Sequence, residues 1–448
     1  MAVERFQTIT QTEQTSSSAI ISALSRREQT RNMMIYAGNA CLVFMAAPVI
    51  YIGILQAVLC QTLGASITVA NLPTSLYLAV SAVPVLFAWY LPYVRLLRRV
   101  VVTGYSVISL MGALAAATLV LPVPNEAKVA MVVLHGAIMG GTIGVVNTFE
   151  WEVLIRGVPE SLRGKAFSLA LGIGPITAVI GSLFSQMVLN GKIGHITLGN
   201  LFFPRNFAVL YAATVPALGL AALQSSYYAV PQPLVENVRQ PFFSEVIGGF
   251  GEFFRDRLIL IACLGFILLY AGQVIMPNMT LFTHEAMGKA AEKYVGYQDG
   301  LRFAFKVGCG FLLGWLLTRA SPKLTLLATA LFSLSGVLCV LLVRGKWFLL
   351  SFGLLGAGEL AYAYYSYYVL CSSEESKLRR NMAFFSMIQV PVAFVPDLYG
   401  RISDRFGLRS SFWVALVFIV IATILVLRGL PPHPRPASAR RDNSKFEI

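Results

Sequence analysis

The chain alternates between long apolar stretches and short polar turns. A helix needs roughly 20 apolar residues to cross a bilayer, because each residue rises about 1.5 Å and the hydrocarbon core is about 30 Å thick. Twelve stretches meet this requirement, near residues 34–57, 74–94, 100–121, 128–150, 165–189, 206–227, 258–278, 297–318, 324–343, 346–370, 382–400 and 410–428. The pattern predicts an all-α integral membrane protein with twelve transmembrane helices.

The composition favours a membrane protein over a soluble one. Apolar residues make up 56% of the 448-residue chain and charged residues 12%, about half the charged share of soluble proteins. The mean hydropathy is +0.70. A chain of this length would otherwise be typical of about three soluble domains. The composition excludes that arrangement, and it argues against a nucleic-acid-binding protein, a disordered scaffold and a disulfide-stapled secreted module.

The net charge of +14 reflects how the chain is oriented in the membrane. With a cytoplasmic N-terminus and alternating loops, the inner segments hold 23 Lys and Arg, the outer loops 10 and the eighth span 2. This bias follows the positive-inside rule and places both termini in the cytoplasm. The first 32 residues lack an apolar core after a basic start, so no cleaved signal peptide is expected. We expect a multi-pass protein of a bacterial cytoplasmic membrane.

The longest inner connection, at 228–257, lies midway along the chain. Its apolar residues recur at spacings of three and four, which predicts an amphipathic helix on the inner membrane surface, formed by Phe242, Phe243, Val246, Ile247, Phe250, Phe253 and Phe254. An N-terminal extension of the seventh span is the alternative. The expected organisation is a cytoplasmic tail at 1–33, a six-helix bundle at 34–227, the linker at 228–257, a second six-helix bundle at 258–428 and a cytoplasmic tail at 429–448.

The two predicted bundles share a faint internal repeat. The fifth span follows Arg163 and has Pro175 twelve residues later, while the eleventh follows Arg379 and has Pro391 twelve residues later. Equivalent positions in both halves predict a duplicated, pseudo-symmetric six-helix unit, as in transporters that are built from repeats.

Short motifs give the sequence a resemblance to the major facilitator superfamily. These motifs are Pro159-Glu-Ser-Leu-Arg-Gly164, Gly174-Pro175 and Gly400-Arg-Ile-Ser-Asp-Arg-Phe-Gly-Leu-Arg409. The resemblance implies two six-helix bundles that alternate in exposing a central cavity. It also implies gating or structural roles for a set of motif residues, namely Arg163, Pro175, Arg379, Pro391, Asp404, Arg405 and Gly407.

The cytoplasmic turns that carry this family's best-known motif are degenerate here. Val94 stands at the usual Asp position after the second span, and Thr318 stands there after the eighth. The resemblance therefore does not extend to the charge lock that the family builds on this Asp. The degenerate turns favour an alternative function, a non-transporting relative that acts as an assembly factor or sensor.

Charged residues lie within the eighth and tenth predicted spans, where a charge at membrane depth costs roughly 3 kcal/mol or more and is typical of a functional site. Asp299, Arg302 and Lys306 share one face of the eighth span. Glu359 in the tenth span is expected at the depth of Lys306, close enough for an ion pair. We interpret these residues as a substrate-binding or proton-coupling site. The alternative is a structural pair that joins two helices.

Other polar residues are weaker candidates. Asn39 and His135 lie in spans that the resemblance implies line the cavity, and Tyr362 is expected in the inner vestibule or in an interfacial aromatic belt. Glu150 and Glu152 are expected to pair with Arg156 or Arg163 near the inner surface, although a gate is an alternative. Asp397 is expected to pair with Arg401.

The sequence offers little for catalysis. No nucleophile–base set, metal-ligand spacing or Walker lysine loop occurs, so we predict neither an enzyme, nor a metal, nor a cofactor. A membrane-embedded enzyme is the weakest alternative. The leading prediction is a secondary active transporter that moves a small solute, with a cation pair suited to an anion and with protons as a coupling ion. Its expected partners are the lipid bilayer, the solute and protons, without nucleic acid and with a monomer as the default state.

Overall fold

The computed structural model of the chain describes residues 24–51, 53–91, 93–193, 196–197, 201–231, 248–373, 381, 384–385 and 387–435. We call the part up to residue 231 the N-terminal half and the part from residue 248 the C-terminal half. The terminal tails outside these ranges, much of the linker and Arg379 lie outside the described residues.

The N-terminal half consists of long helices joined by short turns. Its helices are α1 (Arg26–Ile50), α2 (Ile54–Thr62), α3 (Ile67–Ala79), α4 (Val83–Tyr90), α5 (Leu97–Val120), α6 (Asn125–Gly157), α7 (Glu160–Leu189) and α8 (Arg205–Ser225). Two-residue strands β1 (Lys192–Ile193) and β2 (Ile196–Thr197) pair antiparallel between α7 and α8.

The C-terminal half has the same character. Its helices are α9 (Gly249–Arg255), α10 (Arg257–Gln273), α11 (Met276–Leu281), α12 (Thr283–Met287), α13 (Val295–Arg319), α14 (Pro322–Leu342), α15 (Leu350–Gly358), α16 (Ala361–Ser372), α17 (Phe394–Phe406) and α18 (Leu408–Gly429). The helical structure confirms the predicted all-α class.

Ten helical segments of the described chain are long and apolar enough to cross a membrane. They match ten of the twelve predicted spans. The predicted tenth span consists of two helices, α15 and α16, which meet at Glu359 and Leu360. The predicted eleventh span ends in α17, which follows a 3₁₀ turn that contains Pro391. The architecture is consistent with twelve spans, of which two are interrupted by polar residues or proline.

The predicted boundary of the second span was wrong by seven residues, because the helix begins at Ile67 rather than near residue 74. Ser66 caps this helix, since its side chain accepts a hydrogen bond from the Val69 backbone N–H. The first turns of α3 contain Thr68 and Asn71. Because these residues are polar, the start of the helix is not recognised as part of an apolar stretch. The predicted first span is also broken, at Gly53, which has a left-handed φ of 113°.

The two halves each pack internally and also contact one another. α1 packs on α7 and α8, and α5 packs on α6 and α8, while α10 packs on α18, and α14 packs on α15 and α18. Between the halves, α7 packs on α13, α3 on α17 and α2 on α11. We call the end at which α1 begins and α18 ends the near end, and the opposite end the distal end. α3 begins and α17 ends at the distal end.

The described part of the linker supports only a fragment of the predicted amphipathic helix. α9 covers seven residues, and its Phe250 and Phe253 rings lie 5.4 Å and 5.8 Å from the ring of Phe384. This end of the linker thus packs on the C-terminal half. The remaining residues of the predicted helix lie outside the described chain, and the division at 228–257 stays a prediction.

Candidate functional site

A cavity of about 380 Å³ lies between the two halves. From the N-terminal half it is lined by Tyr51, Thr74, Tyr77, Ser81, Asn147 and Thr148. From the C-terminal half it is lined by Arg302, Lys306, Glu359, Tyr270, Gln273 and Tyr362. Asn147 and Thr148, toward the near end, are exposed. The cavity is therefore accessible from the near end, whereas α3 and α17 close it at the distal end.

Glu359 is the centre of the charged lining. Its carboxylate accepts two hydrogen bonds from Arg302, from Nε at 2.9 Å and from Nη2 at 2.8 Å. The Nζ of Lys306 lies 2.5 Å from the Oε2 of the same carboxylate. The predicted ion pair between Lys306 and Glu359 is therefore confirmed. Forked contacts of this kind between arginine and a carboxylate fix geometry as well as charge.

Asp299 gives Arg302 a second carboxylate partner, which distinguishes it from Lys306. Its Oδ1 lies 3.4 Å from Nη1 of Arg302, and the residue is 2% exposed. Arg302 thus lies between two carboxylates, whereas Lys306 pairs with one carboxylate, that of Glu359, within the part of the chain that the structure describes. With all four side chains ionised, the cluster is formally neutral.

The charged cluster depends on a close approach of α13 and α15. Gly356 lies one turn before Glu359, and a Cβ placed on it would lie 2.5 Å from the Arg302 carbonyl oxygen. Only glycine permits this separation of the two helices. α15 then ends at Gly358, so Glu359 occupies the break before α16 rather than a continuous helix.

Phe303 connects the charged cluster to the N-terminal half. The Nζ of Lys306 lies 5.0 Å from its ring centroid and the Cζ of Arg302 lies 5.6 Å from it, both within the range of a cation–π interaction. On its other side the ring meets Phe44 of α1 edge-on, with the centroids 6.3 Å apart. A movement of one half relative to the other would therefore shift the Phe303 ring relative to Arg302 and Lys306.

Several neutral polar groups in the cavity wall have unused hydrogen-bonding capacity. Among the described residues, the hydroxyls of Thr74 and Ser81 and the Oε1 of Gln273 are buried without a hydrogen-bond partner. Gln273 is held in place by its amide nitrogen, which donates to the Ser333 hydroxyl and the Gly358 carbonyl. Unpaired buried polar groups are costly, so they are typical of a surface that receives a polar ligand or water.

The expectation that Glu150 pairs with an arginine was wrong. Its carboxylate accepts hydrogen bonds from the Asn39 amide at 2.7 Å, the Tyr228 hydroxyl at 2.7 Å and the Tyr105 hydroxyl at 3.0 Å. Glu150 lies on the buried face of α6, where neutral hydrogen-bond donors surround it. Sequence spacing along one helix could not reveal partners that come from α1, α5 and the segment after α8.

The arginines near Glu150 have other partners. Arg156 pairs with Glu152 at 2.7 Å, as predicted, and the exposed pair of Arg401 and Asp397 is also present at 2.7 Å. Arg163 donates to the carbonyl oxygens of Val158 and Ile155, which places it at the end of α6. Basic side chains at a helix C-terminus satisfy carbonyls that have no partner within the helix.

The remaining candidates for binding or coupling are divided between the cavity and the protein interior. Tyr362 lines the cavity. Asn39 is fully buried beside Glu150, and its amide also donates to the Ser225 hydroxyl at 2.9 Å. His135 is fully buried, edge-on to the ring of Tyr211 at 5.1 Å. The structure therefore brings Arg302, Lys306 and Glu359 together with Tyr362, and it places Asn39 and His135 elsewhere.

The described motif residues Pro175, Pro391 and Gly407 lie at different depths in the fold, Pro175 within α7. Pro175 follows Gly174, where the missing side chain leaves room for the ring of Phe44. Pro391 is exposed in its 3₁₀ turn. Gly407, with a φ of 83°, separates α17 from α18 at the distal end.

Asp404 and Arg405 are neighbours in the distal motif, but they make different contacts. Arg405 is exposed, with its Cζ 5.2 Å from the ring centroid of Phe406. Asp404 crosses to the N-terminal half, where it accepts hydrogen bonds from Ile67 and Thr68 of α3.

Sequence reasoning missed several neutral residues of the cavity. Gln273, Tyr51 and Tyr77 lie in apolar stretches, and nothing in their spacing marks them as lining. The signal that could have identified Gln273 is its amide in the middle of an otherwise apolar span, where a buried amide requires partners.

Comparisons with known proteins agree with this architecture. Residues 289–447 match the sequence model described as Major Facilitator Superfamily. No curated protein sequence is significantly similar to the chain. A structure of a mutant of the nucleoside transporter NupG aligns with a TM-score of 0.67 at 11% identity, covering 90% of this chain and 100% of that one.

Two further solved structures share the fold. A POT family transporter in complex with a thioalcohol-conjugated peptide aligns with a TM-score of 0.66 at 11% identity, covering 96% of this chain and 100% of that one. The E. coli fucose:proton symporter FucP aligns with a TM-score of 0.57 at 15% identity, covering 88% of this chain and 97% of that one. At these identities the likeness concerns the fold alone. The sequence match covers the C-terminal third of the chain, and over the whole chain the likeness to these transporters is one of fold.

Proposed function

We propose that the protein is a secondary active transporter that moves a small polar monoanion together with one proton by alternating access of the central cavity. The observation that carries the proposal is the sharing of one carboxylate, that of Glu359, by both cavity-facing cations, Arg302 and Lys306. Proton binding at Glu359 and anion binding at Lys306 are then linked, because each removes the same ion pair.

The charge balance explains why an anion needs a proton. While Glu359 is ionised, the cluster is neutral and both cations are occupied, so an anion would have to displace a buried carboxylate. A buried ion pair that loses one partner leaves an uncompensated charge, at a cost of about 3–5 kcal/mol. When Glu359 takes up a proton, Lys306 loses its partner, whereas Arg302 keeps Asp299 at 3.4 Å. Lys306 is therefore the cation that accepts the solute.

The neutral lining supports a polar solute of modest size. A volume of about 380 Å³ falls within the range of about 300–1,000 Å³ for small-molecule sites. The unpaired groups of Thr74, Ser81 and Gln273 offer hydrogen bonds to hydroxyl or amide groups of the solute. One fold neighbour is a fucose:proton symporter, which supports the proton-coupling part of the proposal.

A neutral hydroxylated solute is the second candidate. Four tyrosines line the cavity, and their rings and hydroxyls suit an uncharged solute with apolar faces: Tyr51, Tyr77, Tyr270 and Tyr362. The two candidates differ in the charge that they carry across the membrane. A monoanion with one proton moves no net charge, whereas a neutral solute with one proton moves one positive charge.

The experiment has two stages. Thermal stability of the purified protein is first measured at pH 5.5 and 7.5 with a panel of small hydroxy-monocarboxylates and their uncharged amides, because a ligand stabilises the folded state that binds it. The best stabiliser is then used for uptake into proteoliposomes with a pH gradient, with the membrane potential clamped by potassium and valinomycin.

The monoanion proposal predicts uptake that requires an acidic exterior and is unchanged by the membrane potential. Uptake that increases with an inside-negative potential supports the neutral solute instead. Binding without any uptake, for every compound that stabilises the protein, would contradict transport and support a sensor.

A further inference from the structure

Asp404 caps a helix of the opposite half of the molecule. Its Oδ1 accepts a hydrogen bond from the Ile67 backbone N–H at 3.0 Å, and its Oδ2 accepts from the Thr68 backbone N–H at 2.9 Å and from the Thr68 hydroxyl at 2.6 Å. Ile67 is the first residue of α3. A carboxylate from the C-terminal half thus neutralises the unpaired N–H groups at the start of a helix in the N-terminal half.

This contact has the chemistry of a strong helix cap. The first N–H groups of a helix have no partner within it, and the helix dipole favours a negative charge at that position. Hydrogen bonds to an ionised acceptor are also stronger than those between neutral groups. Close packing accompanies the cap, because a side chain on Gly400 would overlap the Cα of Thr68. Asp404 therefore holds α17 against α3.

The surface that this contact covers is polar rather than apolar. One turn further along α3, the Asn71 amide donates to the Asn278 side-chain oxygen at 2.7 Å. The Asn278 amide in turn donates to the hydroxyls of Ser403 at 2.9 Å and Ser411 at 3.0 Å. All of these side chains are buried. A permanently sealed contact between two halves would be more stable with apolar side chains, because buried amides and hydroxyls gain little over water.

Several polar atoms in this region have no partner among the described residues. They are the Oδ1 of Asn71 and the hydroxyls of Thr74 and Ser75, all on α3. Thr68, Asn71 and Thr74 or Ser75 follow at helical spacing, and Thr74 lines the central cavity. A polar stripe therefore runs from the Asp404 cap to the cavity, and its unsatisfied groups would gain water if the two halves separated there.

We propose that Asp404 is the latch of a distal gate, which closes the cavity toward the distal end while its carboxylate caps α3 and opens it when the cap is released. This device goes beyond the solute and coupling site, because it needs neither Glu359 nor a bound ligand. By the distribution of Lys and Arg, the distal end faces the outside of the cell.

The near end offers no equivalent acid in its motif turns. Val94 and Thr318 occupy the two turn positions that would carry one. A latch at the distal end alone would stabilise the arrangement that the structure has, closed at the distal end and accessible from the near end. The inference predicts that removal of the latch shifts the resting population toward the opposite arrangement.

The test is the distance between spin labels placed on the two halves of the full-length protein. At the distal end, Glu126→Cys and Lys346→Cys are both exposed positions, one on each half. At the near end, Arg99→Cys and Arg428→Cys serve in the same way. The six native cysteines are replaced by serine, and each pair is measured by double electron–electron resonance in nanodiscs without ligand.

Asp404→Ala is expected to raise the population with separated distal labels about fivefold, in line with the loss of a helix cap. Asp397→Ala is the matched control, because Asp397 pairs with Arg401 on its own helix and is expected to change nothing. Thr68→Val removes only one of the three hydrogen bonds, so it is expected to give a smaller shift in the same direction.

Unchanged distal distances in Thr68→Val and in a folded Asp404→Ala protein would overturn the latch. If Asp404→Ala fails to fold, Thr68→Val decides the question alone. A distal separation without a shortening of the near-end distance would support the latch but contradict alternating access. The latch and the proposed transport function can therefore fail separately.

Discussion

Lys306 and Glu359 come from two different helices and meet in the wall of the central cavity, where the Nζ of Lys306 lies 2.5 Å from the Oε2 of Glu359. Arg302 shares the same carboxylate, but it also contacts Asp299. This inequality between the two cations leads to the first prediction.

Replacing Lys306 should weaken solute binding, whereas replacing Glu359 should remove the pH dependence of that binding. Lys306→Met should lower uptake of the best-stabilising monocarboxylate at least tenfold, because the cation that receives the anion is gone, while Glu359 keeps its two hydrogen bonds from Arg302. Glu359→Gln resembles the protonated state and should bind the anion at pH 7.5 as well as at pH 5.5. Uptake by proteoliposomes and thermal shift check both results, with Lys346→Met as an exposed control.

Gly356 should be required for the charged cluster. Gly356→Ala places a Cβ 2.5 Å from the Arg302 carbonyl, which forces α13 and α15 apart and should destabilise the protein by about 1–3 kcal/mol. Uptake should fall at least tenfold, since Glu359 moves away from both cations. Gly308→Ala is the matched control, because that position of α13 has open space around it. Equal melting temperatures and equal uptake for the two variants would contradict this role.

The environment of Glu150 predicts different effects for two substitutions. Glu150→Leu leaves the donors of Asn39, Tyr105 and Tyr228 buried and unpaired, and each such group costs about 1–3 kcal/mol. Glu150→Gln keeps an acceptor and should cost much less. Thermal unfolding in detergent compares the two variants. A structural role predicts a large drop in melting temperature for the Leu variant only, whereas similar melting temperatures would count against it.

The latch should respond to pH only under strongly acidic conditions. Partial burial raises the pKa of Asp404, but hydrogen bonds from the Thr68 hydroxyl and from the Thr68 and Ile67 backbone lower it by more, so the pKa lies below its ordinary value of 3.8. A lowered pKa means that the cap contributes fully above the ordinary value and is lost as pH falls through the lower, folded-state pKa. Distal spin-label distances should therefore be constant from pH 8 to pH 5 and should lengthen below about pH 4. A transition near pH 6 would contradict this assignment.

Much of the fold could be predicted from hydrophobic length alone, since ten of the predicted spans have counterparts among the helices. The failures have physical causes. The start of α3 is polar because Thr68 and Asn71 face the C-terminal half of the protein. The tenth span is broken at Glu359, a residue of the charged cluster. An apolar count cannot register either feature.

The charged site could be predicted in part, because a charge within a span is rare and helical spacing places Arg302 and Lys306 on one face. The neutral lining could not, since it depends on how helices from the two halves approach one another. The partners of Glu150 show the same limit. They are far apart in sequence, so only the packed structure brings them together.

The most direct test of the coupling between Lys306 and Glu359 is uptake of the best-stabilising hydroxy-monocarboxylate into proteoliposomes, measured with and without a pH gradient at a clamped membrane potential. We expect the gradient to accelerate uptake by the wild-type protein, the clamped potential to have no effect, and Glu359→Gln to exchange the solute at a rate independent of pH. Uptake by Glu359→Gln with the same pH dependence as the wild type would contradict the coupling.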